Sequence, residues 1–147
     1  MQMNKLTEEK QIVMNQVLSQ PLIARLATAD QNNQPHVVPV WFGWDGEALW
    51  ISSFSNTRKI KDLQQNPKIS VAIDVSRDDG KTQAVILEGK AELVVEPRDF
   101  LRKQFKWIYT LYLGEEGVKA KDPQDWIEDV HNLLIKLTPK QIYVWNW

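Results

Sequence analysis

The sequence predicts a mainly β, α+β fold, an antiparallel barrel of six strands with flanking helices. Three observations predict it. Short runs rich in β-branched and aromatic residues recur between turn signals such as Asp30-Gln31-Asn32-Asn33, Asp45-Gly46 and Arg77-Asp78-Asp79-Gly80. Most of these runs are joined as hairpins, with helical patterns at the ends and one short helix inserted, which suits a barrel with α additions. The 147 residues carry no internal repeat, low-complexity tract or linker, so a single domain over residues 1–147 is expected.

Each element has its own signal. Thr7 followed by Glu8 and Glu9 reads as an N-cap with acids in the first turn. Ile12, Val13, Val17 and Leu18 then give one apolar side, and Pro21 stops the helix. Residues 22–28 read as the first strand and 36–44 as the second. Asp45-Gly46 is the strongest hairpin signal, since a type I′ turn needs positive φ at both central positions, and 49–53 returns as the third strand. Asn56 or Ser55 is placed to cap a short helix that buries Ile60 and Leu63 and ends at Asn66-Pro67. Residues 69–75 make the fourth strand and 84–95 the fifth, with a bulge or bend at Gly89. Pro97 opens a helix carrying Phe100, Leu101, Phe105 and Ile108. Asp122-Pro123 starts another, as N-cap and first helical residue, and His131 falls at its boundary. Residues 142–145 form the sixth strand. Alternation is incomplete, because Val37 to Phe42 and Val85 to Leu87 are apolar on both faces. One face of an antiparallel barrel normally meets water, so a partner subunit is expected to cover it.

Composition narrows the functions. Lys and Arg number 18 against 19 Asp and Glu, a net charge of −1 that draws neither DNA nor an anionic membrane. Seven Trp could stack on single-stranded nucleic acid, but no basic stripe accompanies them, so no nucleic-acid partner is expected. Without cysteine there is no disulfide, thiolate chemistry or zinc finger, and two histidines make a metal site an unlikely design. Gln2, Asn4, Lys5, Glu8 and Glu9 interrupt any apolar leader, and no stretch reaches the ~18 apolar residues of a membrane span. A soluble, cytoplasmic protein is expected. There is no Gly-x-Ser-x-Gly elbow and no P-loop; Asp78-Asp79 reads as a solvated turn, and no catalytic residue stands out. An enzyme built on this chain would take its reactivity from an organic cofactor.

The informative segment is Trp50-Ile51-Ser52-Ser53-Phe54-Ser55-Asn56-Thr57-Arg58-Lys59. A strand ends in hydroxyl residues and meets a helix whose first turn holds two cations. Cations are normally favoured at the other end of a helix, so Arg58 and Lys59 cost stability there unless an anion offsets them. A phosphate dianion would, with Arg58 as planar fork and Lys59 as point charge. The alternative is that both extend into solvent.

These residues also resemble a known family. Arg25-Leu26-Ala27-Thr28, then Gln34-Pro35-His36-Val37-Val38-Pro39-Val40-Trp41-Phe42, then Asp45-Gly46 and Thr57-Arg58-Lys59 are similar, in order and spacing, to the pyridoxamine 5′-phosphate oxidase-like split β-barrels. Leu63, Asn66-Pro67, Ile69-Ser70-Val71 and Glu88-Gly89-Lys90-Ala91-Glu92 continue the match, which is close over residues 22–96 and loose at the C-terminal strand. The resemblance implies a homodimer that binds FMN at its interface. It implies that His36, Val37, Val38, Pro39, Val40 and Trp41 lie along the isoalloxazine ring and that Ile51 and Ser52 flank the ribityl chain. Arg58 and Lys59 would hold the phosphate, helped by Ser53 or Thr57. Trp145 is similar to the family's C-terminal Trp that reaches the partner's flavin, and Gln83 to another such contact. Trp41 reads equally as flavin contact or packing; Trp44 and Trp50 read as barrel core or interface.

The function implied is an FMN-dependent oxidoreductase, moving two electrons to or from a small organic substrate. One alternative is a reductase using the deazaflavin F420, whose acidic tail would need further cations such as Arg25, Lys61 and Lys81. Another is a non-enzymatic flavin or haem binder, with His36 or His131 as haem ligand. The sequence ends Trp145-Asn146-Trp147, without the Arg- and His-bearing segment of the true oxidases, so oxidation of pyridoxamine 5′-phosphate itself is not expected.

Overall fold

Thr7 is extended and its hydroxyl accepts the Lys10 N–H at 3.2 Å, so helix α1 (Glu8–Leu18) starts where the cap signal placed it. The structure, a computed structural model, describes residues 5–147; Gln2 and Asn4, used above against an apolar leader, lie outside the described residues. The buried side of α1 is Val13, Met14, Val17 and Leu18, while Ile12 is 54% exposed. The stripe at i, i+3 and i+4 from Val13 and Met14 leaves Ile12 beyond its rim.

The strands are β1 (Ala24–Ala29), β2 (Pro35–Val40), β3 (Gly43–Trp44), β4 (Leu49–Phe54), β5 (Lys68–Ser76), β6 (Thr82–Val94), β7 (Asn132–Leu137) and β8 (Gln141–Asn146). The remaining helices are α2 (Arg58–Gln65), α3 (Arg98–Gly117) and α4 (Lys121–Glu128). The strand order is β2-β1-β5-β6-β7-β4-β3, with β8 also on β6, and the ladders are antiparallel. Strand β6 joins the two halves: Gln83–Glu88 pairs with β8 and Ala91–Val94 with β7. Among the described residues the curled sheet is a half-barrel with four helices, the mainly β split barrel expected, but with eight strands in place of six. No helix among the described residues is long and apolar enough to cross a membrane.

Two differences explain the count. The expected strand 36–44 divides at Trp41-Phe42, β2 pairing with β1 at one end of the strand order and β3 with β4 at the other. Phe42 is buried in the core and its N–H donates to the Tyr112 hydroxyl of α3 at 3.0 Å. That side chain supplies the partner a continuing ladder would have given. Strand β7 was not expected. Leu133, Ile135 and Leu137 face the barrel while Leu134 faces α3, so both faces are apolar and the period-2 signal vanishes.

Smaller corrections follow from local chemistry. Gly46 has φ +99°, but Asp45 is not at positive φ, so the hairpin is not type I′. Instead the Asp45 N–H donates to the Ala48 carbonyl, and Asp45 Oδ1 accepts the Glu47 and Ala48 N–H groups at 2.8 and 2.7 Å. At Gly89 the β5–β6 register runs unbroken, so there is no bulge. A Cβ there would lie 3.2 Å from the Thr138 carbonyl oxygen, and the missing side chain lets the β7–β8 turn approach. Helix α4 is capped by Ala120, which makes Asp122 and Pro123 its second and third residues, still within the turn where neither Pro nor Asp is penalised. His131 lies in the turn before β7 and not in a helix, because the Asp129 carboxylate accepts its N–H at 2.8 Å and closes that turn.

Two apolar layers result. Leu26, Phe42, Ile51, Ile60, Ile73, Leu87 and Ile135 fill the barrel under α1, while Trp50, Leu134, Leu101, Phe105 and Ile108 pack α3 and α4 on the outside of β4 and β7. Asp45 ties the hairpin to the second layer, accepting the Trp50 indole N–H on Oδ2 at 2.8 Å. Partial burial works to raise the Asp45 pKa, but the Trp50, Ala48 and Glu47 donors outweigh it and hold the carboxyl below its usual 3.8. Its stabilising effect is therefore present above that value and lost as pH falls through the lower folded one. Asp45→Ala is expected to cost about 1–2 kcal/mol at neutral pH. Thermal unfolding across pH should show the deficit narrowing as pH falls below 3.8, as wild type loses the same contacts.

Candidate functional site

The turn from β4 into α2 is built from hydroxyls. Ser53 is buried, with Oγ 3.1 Å from Thr57 Oγ1, and the Thr57 hydroxyl reaches the Phe54 carbonyl at 2.9 Å. Thr57 is the N-cap residue, in place of Asn56 or Ser55, but its hydroxyl is committed to Phe54 and no side chain caps α2. The first-turn N–H groups are left for another acceptor, and that turn holds Arg58 and Lys59 with no acid. Lys59 is half-buried, which lowers its ammonium pKa, and no carboxylate among the described residues pairs with it.

Arg58 is held differently. Its Nε lies 3.7 Å from Asp62 Oδ2 one turn on, and that same oxygen accepts the Thr28 hydroxyl at 2.8 Å. Thr28 and Asp62 are both buried, at 4% and 5% exposure. The start of α2 is thus tied to β4 through Ser53 and to β1 through Thr28. His36 stands opposite Thr28 in the β1–β2 register, so the structure gathers His36, Ser53, Thr57, Arg58 and Lys59 at one end of the barrel.

Other predicted residues separate from that group. Ile51 is 1% exposed inside the barrel, which leaves only its backbone to a ligand. Ser52 points to the opposite layer, where Tyr109 donates to its Oγ at 3.0 Å and Asn132 Nδ2 donates to the Tyr109 oxygen at 2.9 Å. Burial raises the Tyr109 phenol pKa, against the smaller opposing pull of these partners. Trp41 stacks on Tyr112 at 4.6 Å between ring centroids, and burial pushes the Tyr112 pKa up to about 12. Trp50 belongs to the second core layer and Trp44 packs against the barrel. Sequence reasoning missed Thr28, Asp62, Tyr109, Tyr112 and Asn132; only the Arg58–Asp62 pair carried a sequence signal, its i, i+4 spacing.

On β2, His36, Val38 and Val40 are half-buried, while Val37 and Pro39 are exposed on the outer face. The register continues that face across the sheet as the row Pro39, Arg25, Ala72, Ile86, Tyr143. Trp145, opposite Ala84, extends it beside Tyr143, their rings 6.2 Å apart and both more than 40% exposed. Gln83 faces the other way: it is buried, and its Nε2 donates to Gln16 of α1 at 3.2 Å. Gln83 and Trp145 therefore point to opposite faces, roughly 20 Å along the strands from the Thr28 end at about 3.4 Å per residue.

A family model described as pyridoxamine 5′-phosphate oxidase matches residues 11–146. The chain belongs to the pyridoxamine 5′-phosphate oxidase family. Solved structures share the fold. A conserved hypothetical protein from Mycobacterium tuberculosis is 19% identical, with 99% of this chain and 90% of that chain covered and a TM-score of 0.75. An FAD-binding protein from Mesorhizobium loti is 20% identical over 97% of this chain and 96% of that one, at a TM-score of 0.71. An F420 reductase is 23% identical over 88% and 94%, at a TM-score of 0.66. No curated protein matches the sequence significantly. The donors at the start of α2 suit a phosphate monoester: uncapped N–H groups, a half-buried Lys59 without a carboxylate ion pair among the described residues, and an Arg58 whose ion pair with Asp62 runs through Nε, with Asp30 further off in electrostatic reach.

The Tyr109 contact is the polar link between β4 and the helical layer. Tyr109→Phe keeps the ring packing but leaves the Asn132 amide and Ser52 without it, and should cost about 1–2 kcal/mol. Urea unfolding should show a lower midpoint with an unchanged slope.

Proposed function

We propose that the 147-residue chain is a single domain that binds FMN, with the phosphate at the start of α2, and acts as a homodimeric flavin oxidoreductase on a small organic substrate. The observation that carries the proposal is the uncapped first turn of α2 with Arg58 and Lys59 in it. Two cations at the positive end of a helix, one of them partly desolvated and without a carboxylate ion pair among the described residues, would be stabilised by a dianion. Ser53 and Thr57 fix the turn that presents these groups. His36 to Val40, on the edge strand whose end meets Thr28, would supply backbone along the isoalloxazine ring, and Ile51 its backbone only. Trp41, fixed against Tyr112, gives the end of that strand a rigid aromatic wall. The flavin, when bound, supplies two-electron transfer; the chain's own residues bind, orient and exclude water.

FMN suits the site better than F420. Arg25 is paired with Asp74, Lys61 stands on α2 and Lys81 in the β5–β6 turn, so these cations are not gathered for an acidic tail. The dimer rests on the outer sheet face, where Val37, Tyr143 and Trp145 are exposed on one surface with Ala72 and Ile86 between them. Because Trp145 lies far from Arg58 along the strands of its own chain, it would meet a flavin held at α2 from the other subunit of a two-fold dimer.

Isothermal titration with FMN should give one site per chain. Arg58→Ala with Lys59→Ala should weaken binding by about a hundredfold or more, each charge-assisted contact contributing roughly 1.5–3 kcal/mol. Unchanged affinity in the double variant would overturn the phosphate assignment. Sedimentation equilibrium at micromolar concentration should give twice the chain mass; a monomer that still holds FMN would contradict the interface.

A further inference from the structure

Asp62 is a carboxylate in an unusual place. It sits at 5% exposure on α2 between buried Ile60 and Leu63, where a helix facing the barrel ordinarily carries an apolar side chain. Burying a carboxylate is costly unless it is paired and hydrogen-bonded. Its Oδ2 accepts the Thr28 hydroxyl at 2.8 Å and faces Arg58 Nε at 3.7 Å, a distance for an ion pair and too long for a hydrogen bond. A negative charge one turn from a phosphate would by itself repel the phosphate. Its effect on binding therefore depends on what it does to Arg58.

Resting on the reading of α2 as the phosphate site, we propose that Asp62 is a positioning residue that sets the Arg58 guanidinium for the phosphate. Arg58 is half-exposed and its long side chain is otherwise free to sample many rotamers. Asp62 draws the Nε edge toward itself, and no ion pair among the described residues holds either Nη group, the end of the fork that grips a phosphate, although the Asp30 carboxylate also lies within electrostatic reach of the guanidinium. Thr28 in turn holds Asp62 from β1, so Arg58 is referenced to the barrel and not only to its own helix. His36 lies opposite Thr28 in the β1–β2 register, so the same relay joins the phosphate end to the strand proposed for the ring.

The test compares FMN with riboflavin, which lacks the phosphate, by fluorescence titration of the full chain. Wild type should prefer FMN, and Arg58→Ala should remove most of that preference. Asp62→Asn should weaken FMN binding by about tenfold, the effect of one misplaced charge-assisted contact, and leave riboflavin unchanged. In the Arg58→Ala background it should cause no further loss. Thr28→Val, which removes the hydroxyl and touches neither charge, should shift the ratio the same way by roughly threefold, and Thr28→Ser should restore it. This pair carries the test if Asp62→Asn does not fold. If Asp62→Asn or Thr28→Val weakens both ligands alike, leaves FMN unchanged or tightens it, Asp62 is structural and the proposal fails. If wild type itself shows no preference for FMN over riboflavin, the phosphate reading of α2 fails first.

Discussion

Strand β6 has to serve two sheets at once, and the rest of the molecule is arranged around that requirement. Its N-terminal part is paired on both edges, with β5 and β8, while its C-terminal part leaves them for β7. One continuous strand with changing partners forces the sheet to curl, and the curl makes an inside. The inside is filled by Leu26, Ile51, Ile73, Leu87 and Ile135 and stoppered by α1. The outside divides in two. Over β4 and β7 it is covered by α3 and α4; over β1, β2, β5, β6 and β8 it is left with exposed Val37, Tyr143 and Trp145.

Helix α2 crosses from one half to the other. It leaves β4 through the Ser53–Thr57 turn, buries Ile60 and Leu63 in the barrel, and delivers the chain to β5 beside β1. Its position is therefore set by both halves, through Ser53 on one side and Thr28 on the other. A helix start held from two directions can keep its N–H groups uncapped, because rigidity does not depend on a capping side chain. That is the physical basis for reading it as an anion site: the fold supplies the order, and the polar groups remain free for a ligand.

The sequence showed those features whose signal is local. The cap at Thr7, the Asp30–Asn33 turn, the burial of Ile60 and Leu63 and the cations at the start of α2 are short-range patterns, and the structure has them in place. What it hid depends on distant partners. Residues 36–44 look like one strand, and only Tyr112, far along the chain, explains why the ladder stops at Phe42. Strand β7 has no alternation because helices lie outside it and the barrel inside. Asp45-Gly46 marked the right hairpin with the wrong turn, since the Asp45 carboxylate takes over the hydrogen bonds that positive φ would have provided. At the site, Arg58 and Lys59 were legible as misplaced charges, whereas Asp62 and Thr28 gain meaning only once α2 is laid on β1.

The central claim is that this barrel carries a flavin. The most direct measurement is the visible absorption spectrum of the protein equilibrated with FMN and freed of unbound ligand. Paired bands in the blue and near ultraviolet, retained at one flavin per chain, are the predicted result. A colourless protein would contradict the claim, and so would a preparation that instead holds a single violet-edge band or a Soret peak from a different cofactor.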